Sequence, residues 1–148
     1  FAAACALAAA RLKPIGDALA ARGVVLGIEA VPAAYGADFL HNVAEVAPLV
    51  RMIASPGIKL HLDTGALHLA GEDPAAVVAA QHDILCHVHL SRPQLAPLTA
   101  PLPLDAPLAA ALRQHHYQGW LSIEIGPQEQ PIPVIQQAIA IAQQVYAV

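Results

Sequence analysis

The chain has 148 residues, 57% hydrophobic, 12% charged and 4% aromatic, which is enough for one domain with a core and too little for two. Seven Lys+Arg against eleven Asp+Glu leave a formal net charge of −4 with no basic run, which argues against nucleic acid as a partner. Apolar stretches such as Phe1–Ala10 are broken by Arg11 and Lys13, short of the roughly 20 residues a membrane span needs. In chain order, Phe1–Ala10 reads as the exposed start of an alanine-rich helix rather than a leader. Residues 2–21 form one or two helical pieces, interrupted by Pro14 and Gly16 and ended by Gly23. Val24–Glu29 is a short apolar run stopping at an acid. Residues 37–53 have helical periodicity in Phe39, Leu40, Val43, Val46, Leu49 and Val50. After the turn Ser55-Pro56-Gly57, Ile58–Asp63 is a second run ending at an acid. Asp73 as N-cap and Pro74 at the first helical position start a helix reaching about His82. Ile84–Leu90 is the third run, and a Pro-rich loop spans Ser91–Pro107 before a helix to about His116. Trp120–Glu124 is the fourth run, and residues 133–147 close with a helix.

The resulting order is α-β-α-β-α-β-α-β-α in a single domain over residues 1–148. Nearly continuous apolar strands alternating with helices predict an α/β fold with a parallel, helix-covered sheet. No Gly-x-Gly-x-x-Gly or Walker-type loop follows a strand, which disfavours nucleotide binding. Cys5 and Cys86 have no metal or redox spacing, so no disulfide scaffold is expected and a reducing cytoplasm is the simpler setting.

Four polar residues terminate the four runs: Glu29, Asp63, His89 and Glu124, each about one βα unit from the next. In a parallel (β/α) barrel, side chains at strand C-termini converge on one mouth. Two glutamates, one aspartate and one neutral histidine suit a single divalent ion such as Mn²⁺, Co²⁺, Mg²⁺ or Zn²⁺. A lone acid at a strand end is usually solvated or capping, but four in register point to a metal site. Residues two positions earlier face the same way: Gly27, His61, His87 and Ser122. His61 and His87 would either orient the ligand carboxylates from behind or satisfy each other and buried water. His68, His82, His115 and His116 read as loop or helix-surface residues. Arg92, at the start of the Pro-rich loop, would either anchor an anionic substrate group or be a surface arginine.

At these residues the sequence resembles the sugar phosphate isomerase/epimerase group of the xylose-isomerase-like TIM-barrel superfamily. The matching stretches are Leu26-Gly-Ile-Glu-Ala-Val-Pro32, Gly57-Ile-Lys-Leu-His-Leu-Asp-Thr-Gly65, Ile84-Leu-Cys-His-Val-His-Leu-Ser91 and Tyr117-Gln-Gly-Trp-Leu-Ser-Ile-Glu124. The resemblance implies that Glu29, Asp63, His89 and Glu124 are the metal ligands. It also implies that Glu29 and Glu124 are the catalytic acid–base pair acting on a keto- or hydroxy-sugar, or a sugar phosphate. Three positions depart from the pattern. Ala66 stands where a substrate-binding histidine is common, Arg92 where an acid would follow Ser91, and Ala106 where a histidine would follow Asp105. A full barrel needs about 250 residues and eight strands, whereas four are expected here, so the chain reads as the C-terminal half of such a barrel. The open edges would be covered by a second copy or by an N-terminal half-barrel. The rival readings are an abasic-site endonuclease with several zinc ions, a polyol dehydratase or lyase on the same metal site, and a non-catalytic half-barrel binding module.

Overall fold

The computed structural model describes residues 1–146. Four strands, β1 (Leu26–Glu29), β2 (Ile58–Asp63), β3 (Leu85–Leu90) and β4 (Trp120–Ile123), form one parallel sheet in sequential order. Six helices surround the strands in sequence: α1 (Ala2–Ala20), α2 (Val43–Ile53), α3 (Thr64–Ala70), α4 (Pro74–Gln81), α5 (Asp105–Gln114) and α6 (Pro131–Tyr146). Consecutive parallel strands with helical crossovers are the repeating unit of a TIM barrel, and four of its eight strands are present. No helix among the described residues is long and apolar enough to cross a membrane.

Strand alternation divides the sheet into two chemistries. Leu60, Leu62, Val88 and Leu90 are at most 1% exposed and pack with Val46, Leu49 and Ile53 of α2, Val78 of α4 and Leu108 of α5 into one core. Their neighbours in the chain, His61, Asp63, His87 and His89, lie on the opposite face, the interior of a closed barrel. One face therefore stabilises the fold and the other carries the polar groups.

Of the one or two pieces expected over residues 2–21, Ala2–Ala20 form one helix: the chain continues through Pro14, and Gly16 is a contact point. A Cβ at Gly16 would lie 2.6 Å from Ile58 Cγ1, so the missing side chain lets α1 approach β2. The second helix begins at Val43 rather than residue 37, because Asn42 caps it by accepting from Glu45 N–H at 2.9 Å. Glu45 returns a bond from His41 N–H, and Glu72 accepts from Val43 and Ala44 N–H. α5 starts at Asp105, inside the stretch expected to be loop, and α3 was not anticipated. Ala147, the last residue of the expected closing helix, lies outside the described residues.

Candidate metal centre

Barrel strands tilt against the barrel axis, so side chains at one height come from staggered register positions. Glu29 pairs with His61, which pairs with His87; Asp63 pairs with His89, which pairs with Ser122. Glu124 follows β4 and is held by its backbone N–H donating to Leu90 O at 3.1 Å. The stagger brings the four expected residues together. One donor atom from each of Glu29, Asp63, His89 and Glu124 lies within 4.8 Å of the others. Ligands on opposite sides of a hard divalent ion stand about 4–5 Å apart, so the cluster is of coordinating size.

Asp63 is set by local structure. It ends β2 in extended geometry and caps α3, its Oδ1 accepting from Ala66 N–H at 2.7 Å. Its other oxygen, Oδ2, is buried with no partner. Thr64 and Ser91 clamp this turn to the end of β3. The Thr64 hydroxyl donates to Ser91 O and accepts from Ser91 N–H, both at 2.8 Å, and Ser91 Oγ accepts from Gly65 N–H at 2.9 Å. A Cβ at Gly65 would come within 2.7 Å of Ser91 Oγ, so Asp-Thr-Gly supplies a carboxylate at the cluster, a clamp and a close approach in three residues.

His89 Nδ1 is 3.2 Å from Glu124 Oε2 but out of line for a hydrogen bond, and it too is buried without a partner. Unpaired buried polar atoms cost about 1–3 kcal/mol each. Two of them, in a cluster with two carboxylates, form a donor set that a divalent cation satisfies. Glu29 is raised to about 7, by burial first and then by the charges of Asp63 and Glu124. Three acids crowded together, one of them holding its proton to neutrality, fit a site built for positive charge.

The two histidines expected behind the ligands differ. His61 Nδ1 is 3.6 Å from Glu29 Oε2, positioned to support that carboxylate, and its pKa falls to about 4 through burial and the neighbouring His89 and His87. His87 instead packs edge-on against His61 and His89, at centroid distances of 5.0 and 5.1 Å, and pairs with no carboxylate among the described residues. His68, His82, His115 and His116 lie outside the cluster.

Arg92 lines the cavity over this site, but its charge is committed elsewhere. It is 6% exposed, donating to Asp105 Oδ2 at 2.8 Å and to the carbonyls of Ser91 and Ala100 at 2.9 Å. It is therefore neither a surface side chain nor a free cation, and it holds the Pro-rich loop in place. Of the other departures, Ala66 lines the cavity and Ala106 is exposed on α5.

The cavity has a volume of about 400 Å³, within the range of small-molecule sites. Glu29, Asp63 and Glu124 line its polar side, with Tyr35, Gln94 and Leu95 around them. Gln94 N–H donates to the Tyr35 hydroxyl at 2.6 Å, and Leu95 O accepts from Gly126 N–H at 2.8 Å. Gln94 and Leu95 have φ of 59° and 54°, a left-handed conformation that costs a side-chain-bearing residue energy. Sequence reasoning missed Tyr35, Gln94 and Leu95, and neither Gln94 nor Leu95 is the Gly or Asn that advertises positive φ.

A family model described as "Xylose isomerase-like TIM barrel" matches residues 2–144. No curated protein sequence matches the chain. Among solved structures, a D-psicose 3-epimerase studied in the presence of D-fructose is similar at a TM-score of 0.85 and 17% identity, over 97% of this chain and 57% of that one. A 3-keto-D-glucoside 4-epimerase from E. coli gives 0.81 and 18%, over 95% and 53%. A D-allulose 3-epimerase from Methylomonas sp. gives 0.74 and 24%, over 93% and 48%. The chain spans about half the length of these structures.

Proposed function

Because the chain belongs to the xylose isomerase-like TIM barrel family, we propose that it carries the metal centre of an isomerase or epimerase acting on a small keto- or hydroxy-sugar. The observation that carries this reading is the pair of buried, unpartnered atoms, Asp63 Oδ2 and His89 Nδ1, clustered with two glutamates at the strand ends. Asp63, His89, Glu29 and Glu124 would hold one Mn²⁺, Co²⁺, Mg²⁺ or Zn²⁺. Once bound, such an ion supplies Lewis acidity toward a sugar carbonyl and its vicinal hydroxyl, which acidifies the intervening C–H.

The protein's own part is proton handling and positioning. Glu29 and Glu124 approach from β1 and from the end of β4, the two outer strands of the sheet. One glutamate accepts the proton from carbon, and the other delivers a proton to the opposite face of that carbon, or to its neighbour for isomerisation. The apolar rim at Val31, Pro32 and Leu95 covers the cavity's other side and limits water around the reacting carbons. A free phosphate on the substrate is not favoured, because Arg92 is already paired with Asp105.

The test is metal content by mass spectrometry, wild type beside Asp63→Asn and His89→Gln, followed by ketohexose turnover in D₂O by the intact protein. We expect about one divalent ion per chain, lost in both variants. Glu124→Gln should cut turnover and deuterium uptake by roughly 10²–10⁴-fold. A wild type that takes up no ion from Mn²⁺, Co²⁺ or Zn²⁺ would sink the reading. Full metal loading without turnover of any sugar or polyol would leave a non-catalytic binding module.

A further inference from the structure

His61, His87 and His89 form a second cluster, each offering one ring nitrogen within 4.8 Å of the others. Their rings meet edge to face, at interplanar angles of 80°, 88° and 84° and centroid distances of 5.0, 4.1 and 5.1 Å. Two backbone features build this arrangement. The β2–β3 register shifts at Leu60/His61, so that Leu60 faces Leu85 while His61 faces His87. Cys86 is the extra residue of that bulge, and the bulge places His87 beside His61. On the other side, Gly27 has no side chain, and a Cβ there would lie 2.9 Å from His61 Cβ. His61 Nε2 is buried and has no hydrogen-bond partner.

We propose that these three histidines form a nitrogen-only cation position for Cu²⁺, Ni²⁺ or Zn²⁺, which competes with the carboxylate position by taking His89. Imidazole favours these late first-row ions, whereas a carboxylate-rich set also serves Mn²⁺ and Mg²⁺. A neutral imidazole has a lone pair on one nitrogen only, so His89 serves one position at a time. An ion on the three histidines therefore disassembles the carboxylate site without touching Asp63, Glu29 or Glu124. The competition rests on the metal site proposed above; the three-histidine position itself does not.

The experiment uses Mn²⁺ and Cu²⁺ as separate probes, read by electron paramagnetic resonance. All proteins carry His82→Gln, because His82 and His115 stack at 4.5 Å and offer an unrelated two-nitrogen site. Copper should show superhyperfine coupling to three nitrogens and should displace Mn²⁺ one for one. Asp63→Asn should lose Mn²⁺ and keep the three-nitrogen copper signal. His87→Gln, which removes the one ring of the three that meets no carboxylate, should keep Mn²⁺ and leave copper a signal from two nitrogens. A copper signal from fewer than three nitrogens before any further substitution overturns the proposal, and so does a three-nitrogen signal unchanged in His87→Gln. A chain that binds none of Mn²⁺, Co²⁺ and Mg²⁺ yet gives the three-nitrogen signal refutes the carboxylate site and upholds the histidine position.

Discussion

Ionising Glu29 adds a third negative charge beside Asp63 and Glu124 in a half-buried setting, and its pKa rises to about 7. Above pH 4.5 the unfolded chain has released this proton while the folded chain keeps it. The metal-free protein therefore loses stability as pH rises from 4.5 to 7. His61 acts with the opposite slope. Its folded pKa is about 4, so as pH falls from 6.5 to 4 the unfolded chain gains a proton that the folded chain refuses, and stability declines. The two slopes offset each other between pH 4.5 and 6.5. Glu29→Gln should remove one of them: melts in chelator should show a Tm raised at pH 8, by ~2–4 °C per ~1 kcal/mol gained. The same variant should also lose stability more steeply with acid below pH 6.5. An unchanged Tm at pH 8 would mean that Glu29 is not crowded. Metal uptake must expel the same proton, so binding heats in buffers of different ionisation enthalpy should report more protons released at pH 6 than at pH 8.5.

The Pro-rich segment after β3 is fixed by a buried network joining the loop to two helices. Asp105, at the start of α5, accepts from Arg92 and from Leu102 N–H through Oδ2, and from the Tyr146 hydroxyl of α6 through Oδ1 at 2.8 Å. Both members of the ion pair are nearly inaccessible, Asp105 at 1% and Arg92 at 6%. Removing one partner leaves the other charge buried and unpaired, so Asp105→Ala should cost about 3–5 kcal/mol. Tyr146→Phe should cost about 1 kcal/mol. Urea denaturation reads both, and limited proteolysis should then cut the loop between Arg92 and Leu104 in Asp105→Ala alone. Equal costs for the two variants would show that the charge pair is not what holds the loop. None of this network was legible in the sequence, because Arg92 and Asp105 are partners across a loop and carry no periodic signal. The strands and the polar cluster at their ends were legible for the opposite reason. Each apolar run ends at a polar residue one βα unit from the next, and alternation fixes which face that residue takes. Helix ends fell between these cases. Asp73-Pro74 marked α4 where the structure has it, while the apolar spacing from Phe39 hid the cap at Asn42, although Asn42 and Glu45 stand three apart as a capping pair does. The bulge at Cys86 depends on cross-strand pairing and left no trace in the chain.

At the scale of the whole molecule, the sheet has the four strands expected, and each outer strand pairs on one side only among the described residues. Unpaired strand edges are templates for further pairing, which natural proteins usually blunt with lysine, proline or a covering element. Here Val24, Val25 and Leu26, leading into and opening β1, are exposed apolar side chains with no charge among them, and Trp120 at the start of β4 is 80% exposed. An eight-stranded ring has no edges, and closing this sheet takes four more strands, from a second copy or from further βα units of a longer chain. These 148 residues expressed by themselves are therefore expected to associate, and light scattering on the eluting protein should give at least twice the 15.4 kDa of one chain. Val25→Lys combined with Trp120→Lys places charge on both edges and should shift the population toward a single chain. Neither residue belongs to the metal cluster. If the variant keeps its metal as a monomer, the cluster is a property of one half-barrel; if it loses metal along with association, closure is what holds the strand ends together. A wild type that elutes as a stable monomer would show that the edges are protected without a partner and would remove the case for a second copy.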